Sequence, residues 1–371
     1  MLTWITVNQK NIRHNIKQFR FLINRDCLLM PVIKSNAYGH GFLEVAKICQ
    51  HDENVNRICV IDSLEALKLI TKFPKTKPIQ ILSFYELDDK ILLKLAKKPV
   101  IFPVYQLKQA KFLDRIGECS KNKIKIHLKL DVGTSRVGIL EKDLKEFITK
   151  IKKLKNIEIE GVFSHLSSSE ESREVTNNQL ELFNKLVKII ENGGVHLKIK
   201  HITCSAASIL YPHSHFNAIR MGLSIYGLHP SKQTTNNIKL KPVLSWHTKI
   251  IHVKNVPTNT KIGYDGTYTT TRPFKIATIP VGYWDGLSRK LSNTGEVLIK
   301  GIRCPIIGKV CMNLTMVDIT NVPKTEVGDL VTLIGRQKNS AITAEDMANW
   351  ADTINYETID RINPLIPRIV I

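Results

Sequence analysis

The chain has 371 residues, enough for two domains or for one large barrel with an appendage, and too many for a small scaffold held by disulfides. With 43% hydrophobic and 23% charged residues it can bury sizeable cores and lacks the signature of disorder. Its 54 Lys and Arg against 33 Asp and Glu give a charge of +21, yet the lysines of KNKIKIHLKL (121–130) and TKIKKLKNIEIE (149–160) alternate with Ile and Leu as on solvated faces. There is no basic tail, RNP motif or zinc finger, so nucleic acid is not the expected partner.

No uncharged apolar run is long enough to span a bilayer, and MLTWITVNQKNIRHNI lacks the regions of a signal peptide, so no membrane association and a cytoplasmic location are expected. Seven cysteines, never spaced as CxxC, are read as reduced thiols. His201, His213 and His215 lie near one another in sequence without supporting carboxylates, and no metal site is expected.

Eight apolar, β-branched runs are expected to be strands: residues 28–34, 57–62, 78–84, 99–105, 125–131, 159–165, 199–205 and 218–223. The spacers at 63–73, 108–116 and 177–193 carry apolar residues at helical spacing, the last stopping at Gly193-Gly194. Eight β/α repeats without a GxGxxG turn predict a (β/α)8 TIM barrel over residues 1–238. Residues 239–371 change to strand-like runs broken by Gly, Pro, Asn and Thr, predicting a β-rich domain. One helix is expected there at 341–354, with Thr343 and Asp346 as a capping box.

The first segment that carries chemistry is PVIKSNAYGHG (31–41), where an apolar strand ends in Lys34 and enters a glycine-containing turn. In a TIM barrel that end of the strand is the catalytic face. A lysine held neutral at such a place is a nucleophile able to form a Schiff base with an aldehyde.

VIKSNAYGHG (32–41) resembles the pyridoxal-phosphate lysine motif of bacterial alanine racemases, and further segments match that family in order along nearly the whole chain. The resemblance implies that Lys34 holds pyridoxal 5'-phosphate and acts as one catalytic base, while Tyr38 reaches the cofactor phosphate. HLKLDVGTSRVG (127–138) is similar to the block that carries an often carbamylated lysine, here Lys129. Its arginine, here Arg136, meets the cofactor's phenolic oxygen and counts with the substrate-binding residues. Lys129 and Arg136 side by side would repel, and carbamylation would make the lysine an anion that pairs with the guanidinium.

GVFSHLSSSEE (161–171) places His165 against the cofactor ring, HITCSAASIL (201–210) offers Ser205 to the phosphate, and RMGLSIYG (220–227) offers Arg220 with the amides of Gly222 and Leu223. An arginine facing the pyridine nitrogen cannot easily protonate it, which limits the ring as an electron sink. KIGYDGTYTT (261–270) resembles the segment of the second base, Tyr264, which in the family acts from the partner subunit. Racemisation needs an acid/base on each face of a planar carbanion, and Lys34 and Tyr264 would supply them, with His165 and Arg220 expected behind the phenol. IPVGYWDGLSR (279–289), KVCMNLTMVDIT (309–320) and INYETIDRI (354–362) then place Tyr283 and Met312 beside the substrate and Tyr356 near the phosphate.

The chain departs from the family pattern at Cys204, where Asn is usual, at Asn313, where Asp is usual, and at Val132 and Thr134. The implied activity is interconversion of L- and D-alanine by a homodimer with shared active sites, supplying D-alanine for peptidoglycan. A racemase of broader amino-acid specificity on the same fold is the alternative.

Overall fold

The computed structural model describes residues 1–85 and 88–371. They fall into two compact units, Asn11–Lys34 with Val45–Lys241, and Met1–Lys10 with Ser35–Glu44 and Pro242–Ile371.

The first unit is the barrel. Six parallel strands, Ile58–Val60, Ile79–Ile81, Val100–Val104, Ile124–Lys129, Ile157–Phe163 and Ile199–His201, pair in chain order as one curled sheet. Leu28–Pro31 and Ala218–Met221 form a parallel pair, bridged to the sheet by Val32 against Cys59 on one side and by Arg220 N donating to Thr203 O (3.1 Å) on the other. All eight expected strands are found, each within its predicted run or displaced by at most two residues. The apolar residues of these strands are buried, as a filled TIM-barrel interior requires. Helices Ser63–Lys72, Leu107–Ser120 and Arg173–Asn192 occupy the expected spacers. Asp62 caps the first by accepting from Glu65 N, and the last ends at Gly193.

The second unit is β-rich. Its largest sheet orders Ile302–Pro305, Glu296–Ile299, Leu330–Gln337, Leu244–Lys249, Thr3–Val7 and Arg368–Val370, with a smaller sheet of His252–Val256, Phe274–Ile279 and Thr315–Asp318. Helix Ala344–Ala351 starts at Thr343, whose side chain and that of Asp346 complete the reciprocal capping box.

The units are discontinuous in sequence, where a single boundary between 238 and 239 was expected. Thr3–Val7 is the reason: it runs antiparallel to Leu244–Lys249 in the register Ile5 to Trp246, and parallel to Arg368–Val370. No helix among the described residues is long and apolar enough to cross a membrane.

Candidate active site

The barrel residues singled out as the site lie at or beyond the C-terminal end of a strand, except Arg220, which is the penultimate residue of Ala218–Met221. Lys34 follows Leu28–Pro31 by three residues, Lys129 ends Ile124–Lys129, His165 is two past Phe163, Ser205 four past His201, and Gly222 and Leu223 follow Met221. Arg136 sits on the loop after Lys129, which is closed by Ile139 N donating to Lys129 O (2.8 Å) and Asp131 N to Ile139 O (3.1 Å). Asp131 Oδ1 accepts from the amides of Gly133 and Ser135 inside it. Gly138 (φ 150°) is needed at the closure, since a Cβ there would lie 2.5 Å from Asp131 N.

The charges of this face act on one another. Lys129 is buried, its ammonium donates to Leu82 O at 3.3 Å, and burial with the charges of Arg136, Arg220 and Lys34 pushes its pKa down to about 8. Burial, helped by Arg220, Arg136, Lys129 and Lys34, pushes His165 down to about 3, so its imidazole is neutral at physiological pH. Arg220 is buried, and its NH1 donates to His201 Nδ1 at 2.5 Å while NH2 donates to Ser164 O (2.7 Å) and Ile202 O (3.0 Å). Ser205 is buried with its Oγ accepting from Gly222 N at 2.9 Å, which ties the hydroxyl to the amides that open the turn Leu223–Tyr226.

This donor set fits a phosphorylated pyridine aldehyde. An amine at a strand end can join the aldehyde, and a serine hydroxyl with backbone amides suits the phosphate. Several fixed cations suit the negative charge of the whole group. Lys34, His165, Ser205, Arg220, Gly222 and Leu223 are the barrel residues that would hold it.

In the β-rich unit, Tyr38 and Tyr356 are brought together with ring centroids 6.3 Å apart. The backbone reaches Tyr38 through a left-handed turn, with Ser35, Asn36, Ala37 and Tyr38 all at φ between 52° and 54°. Such a run costs about 1–2 kcal/mol per residue, and several bonds hold it. Gly41 N donates to Asn36 O (2.9 Å), Phe42 N to Asn36 Oδ1 (3.0 Å), and Arg368 Nε and NH2 to Gly39 O (3.1 and 3.0 Å).

Tyr283 and Met312 lie on segments joined by Tyr283 N donating to Cys311 O (3.0 Å) and Trp284 N to Met312 O (2.9 Å). Gly282 allows the approach, because a Cβ would meet Cys311 O at 2.2 Å. Tyr264 opens a short turn whose Asp265 pairs with Lys309, and its side chain is 68% exposed. Thus Tyr38, Tyr264, Tyr283, Met312 and Tyr356 belong to one unit, and Lys34, Lys129, Arg136, His165, Ser205 and Arg220 to the other.

Of the departures from the family pattern, Cys204 Sγ lies 3.2 Å from Ser169 Oγ, and Asn313 is exposed. Sequence reasoning missed His201, which it grouped with His213 and His215. His201 instead accepts from Arg220, and His215 Nε2 is bonded to Ser208 O (2.9 Å). A histidine inside the expected run 199–205, closing the strand Ile199–His201, was the only available signal.

The models of the alanine racemase N-terminal and C-terminal domains match residues 7–230 and 243–370. An alanine racemase of Methanococcus maripaludis is 38% identical over 99% of this chain and 98% of its own length. Alanine racemase 2 of Caldanaerobacter subterraneus subsp. tengcongensis is 39% identical over 100% and 95%. The structure of alanine racemase from Clostridium difficile 630 superposes with a TM-score of 0.93 at 33% identity, covering 100% of this chain and 96% of that one. That from Bacillus anthracis with bound L-Ala-P gives 0.92 at 34%, covering 100% and 95%. The barrel with its strand-end lysine and the β-rich unit with its tyrosines are those of an isomerase that works with pyridoxal phosphate. The chain belongs to the alanine racemase family.

Proposed function

We propose that this chain interconverts L- and D-alanine with pyridoxal phosphate carried on Lys34, in a two-base reaction shared between Lys34 and Tyr264. The observation that carries the reading is the placement of Lys34, Arg136, His165, Ser205 and Arg220 around one end of the barrel, in a chain whose relatives of equal length are alanine racemases. When bound, the cofactor draws electrons from the substrate's α-carbon so that its proton can leave.

The protein's own part is to hold and move protons. Lys34 exchanges a proton through Nζ on one face of the α-carbon, and Tyr264 through its phenolic oxygen on the other. Ser205 Oγ, the amides of Gly222 and Leu223, and the hydroxyls of Tyr38 and Tyr356 bind the phosphate. His165, held neutral, packs on the ring without adding charge. Arg220 faces the ring nitrogen and keeps its own proton, because a guanidinium is not deprotonated in proteins. Arg136, Met312 through its backbone amide, and Tyr283 orient the substrate. Lys129 serves as a carbamate that pairs with Arg136.

The enzyme acts as a homodimer in which each Tyr264 serves the partner's lysine. Exposure supports this: Tyr264 (68%), Trp284 (59%) and Met312 (55%) are large apolar side chains left uncovered on the β-rich unit. A cytoplasmic enzyme of this kind supplies D-alanine for peptidoglycan.

The test is chiral chromatography of L-alanine incubated with purified protein and pyridoxal phosphate, beside Lys34→Ala. D-alanine from the wild type alone supports the reaction and its lysine. Turnover of serine, lysine or arginine at comparable rates would favour a racemase of broader specificity, and no turnover by cofactor-loaded protein would end the alanine reading.

A further inference from the structure

Behind Arg220, on the side away from the strand ends, a line of buried polar groups crosses the barrel. His201 Nε2 lies 2.8 Å from His127 Nδ1, and His127 Nε2 lies 3.1 Å from Glu160 Oε2. His127 and His201 have no exposed surface, and Glu160 and Arg220 are 5% exposed each. Glu160 also accepts from Arg57 NH1 at 2.7 Å and from Lys125 Nζ at 3.0 Å.

The two ends of this line differ in chemistry, and that fixes every proton between them. A guanidinium has only donors, so His201 Nδ1 must accept and the proton of His201 sits on Nε2. His201 Nε2–H then donates to His127 Nδ1, whose own proton must sit on Nε2 and point to Glu160. A carboxylate that already takes hydrogen bonds from two cations is an acceptor. The chain therefore runs one way, from Arg220 through His201 and His127 to Glu160.

The backbone is shaped for it. Between Ile126 and His127 the ladder with Ile157–Phe163 shifts register, leaving Glu160 as the extra residue of a bulge, a device that re-aims a side chain. The next residue is Gly161, where a Cβ would stand 2.9 Å from His127 Nε2 and 2.4 Å from Ile199 O. Phe163 stacks on His201 with centroids 4.9 Å apart and planes 4° from parallel, which holds the imidazole against rotation. Burial, with Arg57 and Arg220 nearby, pushes His127 down to about 4 against the pull of Glu160, and His201 lies well below its ordinary value for the same reasons. Burial by itself would raise the Glu160 carboxyl, but the hydrogen bonds of His127, Arg57 and Lys125 and the charge of Arg57 outweigh it and keep it ionised.

We propose that Glu160 is a positioning residue for the reaction, holding Arg220 through His127 and His201 in a one-way chain of hydrogen bonds that presents acceptors, and never a proton, to the back of Arg220. The proposal rests on the reading of Arg220 as the group facing the cofactor's ring nitrogen. Its consequence is that His201 offers Arg220 an acceptor and no proton that could be passed on toward that nitrogen. Glu160→Gln makes the line reversible: an amide N–H can donate to His127 Nε2, His127 Nδ1–H to His201 Nε2, and His201 Nδ1–H would then face Arg220 donor to donor, displacing the guanidinium.

The test has two arms on the holoenzyme. In wild-type protein labelled with 15N-histidine, long-range 1H–15N spectra at pH 7 are expected to show His127 and His201 neutral with the proton on Nε2. A proton on Nδ1 of either ring, or on both nitrogens, overturns the chain whether or not alanine turns over and whether or not a variant folds. In Glu160→Gln, kcat for alanine is expected to fall roughly tenfold or more, the usual scale for losing a group that orients a site residue. KM and bound pyridoxal phosphate should stay within about twofold, and the His201 signal should move toward the Nδ1–H form. An unchanged kcat in a folded, loaded variant overturns the proposal. Wild-type protein inactive on alanine would refute the assigned reaction while the spectra still decide the chain.

Discussion

Lys129 gives the sharpest quantitative consequence. As a bare amine it sits at about 8 against an ordinary 10.5, because it is buried and faces Arg136, Arg220 and Lys34. At about 1.4 kcal/mol per pKa unit, the folded chain loses on the order of 3 kcal/mol at pH 7 by keeping that ammonium. The folded value lies below the unfolded one, so the unfolded chain binds more protons between about pH 8 and 10.5. Stability therefore rises with pH across that window, and the penalty is complete below it. The same shift leaves about one amine in ten neutral at pH 7, against fewer than about one in a thousand for an ordinary lysine. That neutral amine can attack carbon dioxide, forming the N–C bond of a carbamate and releasing one proton. The charge at 129 changes from positive to negative, and three repulsions become attractions. Lys129→Met, which keeps an unbranched chain without charge, is expected to be about 2–3 kcal/mol more stable than wild type in urea unfolding at pH 7 in buffer freed of carbon dioxide. Added bicarbonate should raise wild-type stability, leave the variant unchanged and close the gap, with a 13C carbamate signal appearing from labelled bicarbonate. Equal stability of the two proteins, indifferent to bicarbonate, would refute the charge argument.

Gly39→Ala should cost at least about 3 kcal/mol in urea unfolding and weaken cofactor binding, since φ is +79° and the new Cβ would lie 2.0 Å from Ile359 O. Gly328→Ala has φ +93° but open space around it, so it should lose only about 1–2 kcal/mol, and similar losses at both sites would show that the close approach at Gly39 is unimportant. Tyr264→Phe should bind pyridoxal phosphate as wild type does and lose racemisation of L-alanine by about 100-fold or more, and full activity would remove Tyr264 from the two-base scheme. Cys204→Asn restores a full hydrogen-bonding side chain beside Ser205 and should tighten cofactor binding several-fold by about 1 kcal/mol in a spectroscopic titration; weaker binding would mean that the Cys204–Ser169 contact at 3.2 Å already fills that need.

The barrel was legible because each strand is a compact apolar run and each helix an amphipathic one, both local properties. Thr3–Val7 was not assigned to the β-rich unit, because its five residues are informative only once Leu244–Lys249 and Arg368–Val370 lie beside them. The left-handed turn at Ser35–Tyr38 was equally hidden: none of the four is glycine, and the conformation is imposed by Asn36, Gly39 and Arg368. Lys34, Ser205 and Arg220 stood out through the order of their motifs. His127 and Glu160 did not, since a polar residue inside an apolar run declares only that it needs a partner, and these two meet across neighbouring strands at a register shift.

The charge at the barrel's end also explains which side chains can do which work there. Lys34, Lys129, Arg136 and Arg220 make a field that attracts an anionic group, and burial first, with these charges after it, drives the protons off Lys129 and His165. A lysine at position 220, 5% exposed and among these cations, would tend toward neutrality, and it would offer three donors in place of five. Arginine keeps its charge where lysine would not, and its planar fork bonds His201, Ser164 and Ile202 at once. The proton-moving groups of the proposed reaction obey the opposite demand. Lys34 must be able to lose its proton, and its proposed counterpart is a phenol, whose protonated form carries no charge.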